Sequence, residues 1–191
     1  MQLVFATNNL NKIKEVQTLI PKHIELLSLK DIGCFEEVPE TQNTIEANAI
    51  EKAEYVKLNY GYDCFADDTG LEVEALNGEP GVYSAHYAGE QRNANDNMDK
   101  LLDNMKEQAN RSAQFKTVIA LHLNGNLQTF EGICEGEITE EKHGNKGFGY
   151  DPIFKANDYS QTFAEISLQV KNRIGHRGKA VRQLVAFLND C

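Results

Sequence analysis

Apolar residues recur along this chain in two periods, and the changes between them mark its elements. Leu3–Ala6 is a short apolar run. Thr7-Asn8-Asn9 follows, and then Ile13, Val16, Leu19 and Ile20 share one face at helical spacing until Pro21. The pattern reads as strand, tight loop, helix. A second helix is predicted over Thr44–Lys57, where Ile45, Ala49, Ala53 and Val56 form one stripe and Glu51 and Glu54 lie off it. Tyr62–Ala66 leans apolar as a strand and leads into Asp67-Asp68-Thr69-Gly70, after which Leu71–Ala75 alternates like a half-exposed strand. Asn77–Gly81 is loop by composition. A polar helix over about Ala94–Gln108 carries Met98, Leu101, Leu102 and Met105. Phe115–Leu123 and Leu127–Ile133 flank Asn124-Gly125-Asn126, the strongest hairpin signal in the chain. Glycines concentrate before Tyr150-Asp151-Pro152, and a last helix is expected near Gly178 to Leu188.

Helices alternate with strands early and a long hairpin sits in the middle, so the predicted class is α/β with a mixed sheet. Residues 1-191 show no repeat, low-complexity linker or composition break and read as one domain.

The net charge of -10 disfavours a nucleic acid polymer as partner, because backbone binding needs a basic surface. A small phosphorylated ligand stays compatible, since a few local cations and a metal ion suffice. Cys34, Cys64, Cys134 and Cys191 show no Cys-x-x-Cys pairing, which argues against a zinc ribbon or redox motif. No signal peptide or long apolar run is visible, so no membrane partner is expected and the reading is cytoplasmic with reduced cysteines.

Against that background, five segments could carry chemistry. Asp67 and Asp68 offer hard oxygen donors suited to Mg²⁺, and one carboxylate could take a proton from an attacking water. The same residues also suit an Asx turn or a helix cap. Thr7-Asn8-Asn9-Leu10-Asn11-Lys12 joins strand to helix and could form an anion site at the helix N-terminus. Plain capping by Thr7 or Asn8 with Lys12 solvated reads equally from these residues. Neither Gly-x-Gly-x-x-Gly nor a Walker-type loop is present. Glu40 would complete a three-carboxylate metal site with Asp67 and Asp68, or is simply a solvated loop residue. Gly147-Phe148-Gly149-Tyr150-Asp151-Pro152 places two aromatics in a loosened loop, as base-stacking platforms or as buried anchors. Lys171 to Lys179 is a cationic cluster opening the last helix. Cations are unfavourable there, so something anionic nearby would explain them.

Taken in chain order, several blocks closely resemble the inosine triphosphate pyrophosphatase family, which acts on non-standard purine nucleoside triphosphates. They are Ala6-Thr7-Asn8-Asn9, Lys12, Glu15, Glu40-Thr41, Asn48-Ala49, Ala66-Asp67-Asp68-Thr69-Gly70-Leu71, Gly78 to Ala85, Gly147 to Phe154, Ala164-Glu165, Lys171 and His176-Arg177. They span essentially the whole chain. The resemblance implies hydrolysis of ITP, dITP and XTP to monophosphate and pyrophosphate with Mg²⁺, by a homodimer that cleanses the nucleotide pool. It implies Asp68 as proton acceptor and metal ligand, with Glu40 and Asp67 completing the metal set. Thr7, Asn8, Asn9, Leu10, Asn11, Lys12 and Lys171 would hold phosphates, the two lysines as exposed cations, with Thr69 beside the substrate. Phe148, Gly149, Tyr150 and Asp151, with His176 and Arg177, would form the base pocket. The implied fold is an elongated mixed β-sheet flanked by helices, in two lobes with the active site in the cleft between them.

The chain departs from the family's pattern in three places. Asn8 stands where a Gly is common, Gly175 where a Ser is usual, and acidic residues are fewer around Glu46. Two other readings stay open: a nucleotide sensor that has lost turnover, and a Maf-like nucleotide pyrophosphatase. The three carboxylates speak against the first, and the Phe148–Asp151 and His176-Arg177 blocks against the second.

Overall fold

The acidic pair lies inside a strand, not after one. The computed structural model describes residues 1–190. Along the chain they form β1 (Gln2–Phe5), α1 (Leu10–Gln17), β2 (Glu25–Leu27), α2 (Ile45–Tyr60), β3 (Cys64–Val73) and β4 (Pro80–Gly81). Then follow α3 (Ala94–Asn104), β5 (Ser112–Leu123), β6 (Asn126–Ile138), β7 (Phe154–Ala156), α4 (Leu168–Ile174) and α5 (His176–Asn189). The strands pair in the order β2-β1-β3-β5-β6-β7, with β4 on β3. β1 is parallel to β2 and β3, whereas β4 and β7 run antiparallel to their neighbours, so the sheet is mixed. The expected strand at Tyr62–Ala66 and the alternating run from Leu71 are one ten-residue strand.

The chain divides into two compact units, the first made of Met1–Asp68, Thr117–Gly132 and the chain from Arg177 onward, the second of Thr69–Lys116 and Ile133–His176. In the first unit, Leu3, Phe5, Phe65, Ile119 and Leu121 pack with Val16 of α1 and with Ala180, Val181 and Leu184 of α5. The Phe5 and Phe65 rings stack at 4.5 Å. Neighbouring positions of β3 turn the other way, as pleating requires. There the Cys64 thiol donates to the Ala53 carbonyl at 3.2 Å, next to the buried Ala49, Ala53 and Val56 of α2.

Helix α1 stops at Gln17, short of the predicted Ile20, because the Thr18 hydroxyl donates to the Glu15 carbonyl and the amides of Leu19 and Ile20 both turn back to Val16. The hairpin turns at Asn124 and Gly125, with φ of 51° and 80°, the left-handed pair that a two-residue turn demands.

The second unit closes over Leu71, Val73, Met98, Leu101, Met105, Phe115, Phe154 and Phe163. Arg111 fastens the end of α3 there, donating to the carbonyls of Met105, Ile138 and Thr139. Helix α4 was not foreseen. Its Ser167 cap, which accepts from the Val170 amide, is its sequence signal.

The segment before α2 carries Glu40 and is tied to that helix at several points. Thr41 donates to Glu51 through both its amide (2.7 Å) and its hydroxyl (2.6 Å), and the Gln42 amide donates to Asn48 Oδ1 at 2.9 Å. Tyr55 and Tyr60 donate their hydroxyls to Glu36. These phenols hold the Glu36 carboxyl at about 2, against an ordinary 4.5. A depressed folded-state value adds stability above the unfolded value and loses it as pH falls. Glu36→Gln should therefore lower the melting temperature most at neutral pH. That difference should shrink below pH 4.5 and vanish as pH falls through about 2. A difference unchanged across this range in a thermal-melt series would show that the carboxylate is not what holds the segment.

Candidate active site

Consecutive side chains of a strand face opposite ways. Asp67 and Asp68 are consecutive in β3, so their carboxylates meet different partners. Asp67 turns to the side of Phe65. Lys12 Nζ reaches its Oδ1 at 2.9 Å and also donates to the Asp67 carbonyl at 3.3 Å. Arg177 Nε reaches Oδ2 at 2.9 Å, while Arg177 NH1 holds Glu15 Oε2 at 2.5 Å. All four groups are buried or nearly so. Burial alone would push the Asp67 carboxyl up, but Lys12, Arg177 and Lys52 outweigh it and hold it well below the usual range. Burial in turn lowers the Lys12 ammonium, despite Asp67 beside it.

Asp68 turns to the side of α2. Lys52 Nζ lies 3.0 Å from Asp68 Oδ1 and 2.5 Å from Glu40 Oε1, and Asn48 Nδ2 reaches Asp68 Oδ2 at 3.5 Å. Burial raises the Asp68 carboxyl above its ordinary value, Lys52 and Lys12 pulling against it. A more basic carboxylate is a better proton acceptor near neutral pH. Burial works against charge on Lys52, but Asp68 and Glu40 more than restore it and raise its affinity for the proton.

Glu40 and Asp68 share one ammonium, so their oxygens are no farther apart than the sum of those two ion-pair distances. Hard oxygen donors already gathered around a cation fit a divalent ion that takes one or two carboxylates and fills its other positions with water or phosphate. Among the described residues no three His, Cys, Asp or Glu side chains gather as a metal cage. Strand alternation sends Asp67 to the other side of β3, where Lys12 and Arg177 take its oxygens, so of the three carboxylates only Glu40 and Asp68 come together on Lys52.

At the start of α1, Asn9 is the cap, not Thr7 or Asn8. Its Oδ1 accepts from the amides of Asn11 and Lys12 at 3.0 and 3.3 Å, and Thr7 Oγ1 accepts from the Asn9 amide. Asn8, Asn9, Leu10 and Asn11 are exposed. The expectation of Lys12 and Lys171 as exposed cations fails for both.

In the second unit, Lys171 Nζ is buried on Asp151 Oδ2 at 2.6 Å and lies 4.8 Å from the Phe148 ring centroid. Asp151 also accepts from the Phe148 amide at 2.8 Å. Gly147, at φ +71°, permits this fold-back, because a Cβ there would run into the Asp151 carboxylate. Tyr150 is an anchor, its hydroxyl donating to the Ser84 carbonyl at 2.7 Å. Gly149 adopts φ +61° with open space around it, Phe148 is half-buried, and Thr69 is half-buried next along β3. His176 is buried against Phe115, rings stacked at 4.5 Å. Arg177, expected against a purine base, pairs with Asp67 and Glu15.

The Ham1 family profile matches residues 3–187. The chain belongs to the Ham1 family. It is 65% identical, over 98% of both chains, to a protein of Flavobacterium johnsoniae named dITP/XTP pyrophosphatase. Its fold superposes on the Staphylococcus aureus Ham1 protein with TM-score 0.91 and 39% identity, covering 100% of this chain and 99% of that one. A HAM1 protein from Coxiella burnetii matches with TM-score 0.93 and 36% identity, covering both chains completely. The α/β class and mixed sheet flanked by helices agree with these Ham1 structures. No helix among the described residues is long and apolar enough to cross a membrane.

Two residues of this charged cluster carry no role in the sequence reading. Lys52 had a signal: Asn48 and Lys52, one turn apart, fall within the buried stripe of α2 beside Ala49 and Ala53. Glu15 is buried one place before Val16 and marks a charge needing a partner. Arg177→Met should leave Asp67 and Glu15 without the cation that bridges them. A loss of about 3–5 kcal/mol in urea unfolding is expected for a broken buried pair. Unchanged stability with altered base preference would return Arg177 to the base pocket.

Proposed function

We infer that this Ham1-family chain is a dITP/XTP pyrophosphatase: it hydrolyses ITP, dITP and XTP to the nucleoside monophosphate and pyrophosphate. The observation that carries the mechanism is Asp68, buried, raised in basicity and joined to Glu40 through Lys52. Asp68 accepts the proton of the attacking water, and Asn48, on its second oxygen, keeps its carboxylate directed. Glu40 and Asp68 would hold Mg²⁺, which when bound would neutralise charge on the triphosphate and acidify water. Lys12, anchored on Asp67, and the α1 N-terminus at Thr7–Asn11 present positive potential to phosphate. Thr69 stands beside the reacting group.

For the base, the candidates are Phe148, Gly149, Tyr150, Asp151 and His176, with Lys171 holding Asp151 in place. Hypoxanthine and xanthine carry an acceptor at the 6-oxo position, where adenine carries donors. Donors of this loop and of His176 suit the oxo group. Sites built on such a bond reject the wrong analogue by about 10⁴–10⁵. We place the protein in the cytoplasm as a single-domain homodimer that keeps non-standard purines out of DNA and RNA. Size-exclusion chromatography with light scattering tests the dimer.

Pyrophosphate release from ITP, XTP, GTP and ATP, with Mg²⁺ supplied or chelated, tests the activity. ITP and XTP should lie well above GTP, with ATP poorest. Comparable kcat/KM for ATP and ITP would refute this account of the base, and undiminished release under chelation would refute the metal.

Asp68→Asn should lower kcat by about 10²–10⁴ while substrate still binds, the usual loss with a general base. A variant keeping more than half of the turnover would remove Asp68 from this role. Because burial raises the Asp68 carboxyl, the base form is lost as pH falls through a value above the ordinary 3.8. The acid limb of the kcat/KM profile should lie on that side of it.

A further inference from the structure

We propose that Lys52 is a displaceable internal cation, holding the place of the divalent ion so that metal loads by exchange with its ammonium. This deepens the reading above and rests on Glu40 and Asp68 as the metal carboxylates.

The same oxygens that would ligate the ion already converge on Lys52 Nζ, at 2.5 Å from Glu40 and 3.0 Å from Asp68. A divalent ion taking bonds of about 2.0–2.1 Å to Glu40 Oε1 and Asp68 Oδ1, the oxygens that Lys52 holds, would have to displace the ammonium. Charge repulsion at that range in a half-buried site is worth more than one factor of ten in affinity.

The surroundings suit such an exchange. The Lys52 side chain is 5% exposed, but Glu40 is 42% exposed, so the pair opens to solvent on the Glu40 side. Asn48 holds Asp68 by its other oxygen, which keeps the carboxylate directed when the ammonium leaves. Lysine is a compact point charge on a flexible four-carbon stem, able to swing while α2 stays still. On the Asp67 side Lys12 and Arg177 each pair with carboxylates, whereas on the Asp68 side a single ammonium, Lys52, contacts both Glu40 and Asp68.

The test uses Mn²⁺ as probe without nucleotide. Binding is followed by electron paramagnetic resonance, and melting temperature is read with and without the ion. Lys52→Met should bind Mn²⁺ at least about tenfold more tightly than the unmodified protein. Its metal-free melting temperature should fall, and Mn²⁺ should restore it at concentrations that leave the unmodified protein unmoved. A purely structural lysine would give the fall without the rescue, and that result overturns the proposal. Adding Glu40→Gln should cancel the gain in affinity. A gain that survives places the ion elsewhere and also overturns it.

If Lys52→Met does not fold, the unmodified protein labelled at lysine ¹³Cε decides, with the Lys52 signal assigned through Lys52→Arg. Saturating Mg²⁺ should shift that signal, and an unmoved signal overturns the exchange. Pyrophosphate release is measured separately. Release without exchange refutes this inference alone, and exchange without release refutes the activity alone.

Discussion

Two carboxylates at consecutive positions of an interior strand cannot point the same way, and that constraint shapes the first unit. The pleat of β3 sends Asp67 toward α1 and α5, and Asp68 toward α2. Each must find cations on its own side, because an unpaired buried carboxylate is too costly to keep ionised. Lys12 comes from α1, Arg177 from α5 and Lys52 from α2. The polar contacts fix how each helix lies along the strand, while the apolar stripes of Val16, Val181, Ala49 and Ala53 supply the burial.

Burial and pairing pull the two carboxyls in opposite directions, and the balance differs between them. Asp67 is engaged by two cations through separate oxygens, so pairing wins and it stays ionised at any working pH. Asp68 shares its cation with Glu40, whose charge opposes its own, so burial wins and it becomes more basic. Adjacent residues of one chemical type thus acquire different properties, one held ionised and one made more basic. A buried ion cluster contributes little net stability over apolar packing, yet removing one member is costly. The Asp67 cluster is better understood as fixing geometry than as adding stability.

Much of this was legible in the chain. The α2 stripe, the Asn124-Gly125 turn and the strand–loop–helix at the N-terminus follow from periodicity and turn chemistry, because local rules govern them. β3 was cut in two because Asp-Asp-Thr-Gly reads as turn by propensity. Cations on three helices override that preference, and nothing local announces them. The last basic segment was read more nearly correctly. Its cations did call for nearby anions, but those nearest are the protein's own: Asp67 and Glu15 for Arg177, and Asp151 for Lys171. Sequence gives the charge and its need for a partner, whereas only the fold says whether that partner is substrate or protein.

The identity of each cation matches the permanence its position requires. Arg177 bridges two carboxylates through Nε and NH1, a fixed fork that stays charged and binds each partner with its own nitrogen. Lys52 sits between two carboxylates and holds both through a single nitrogen. One movement of its stem releases Glu40 and Asp68 together, where a guanidinium would have to break separate, directed bonds. The immobile cluster is built on arginine and the exchangeable pair on lysine, so strand alternation divides the unit into a part that holds still and a part that works.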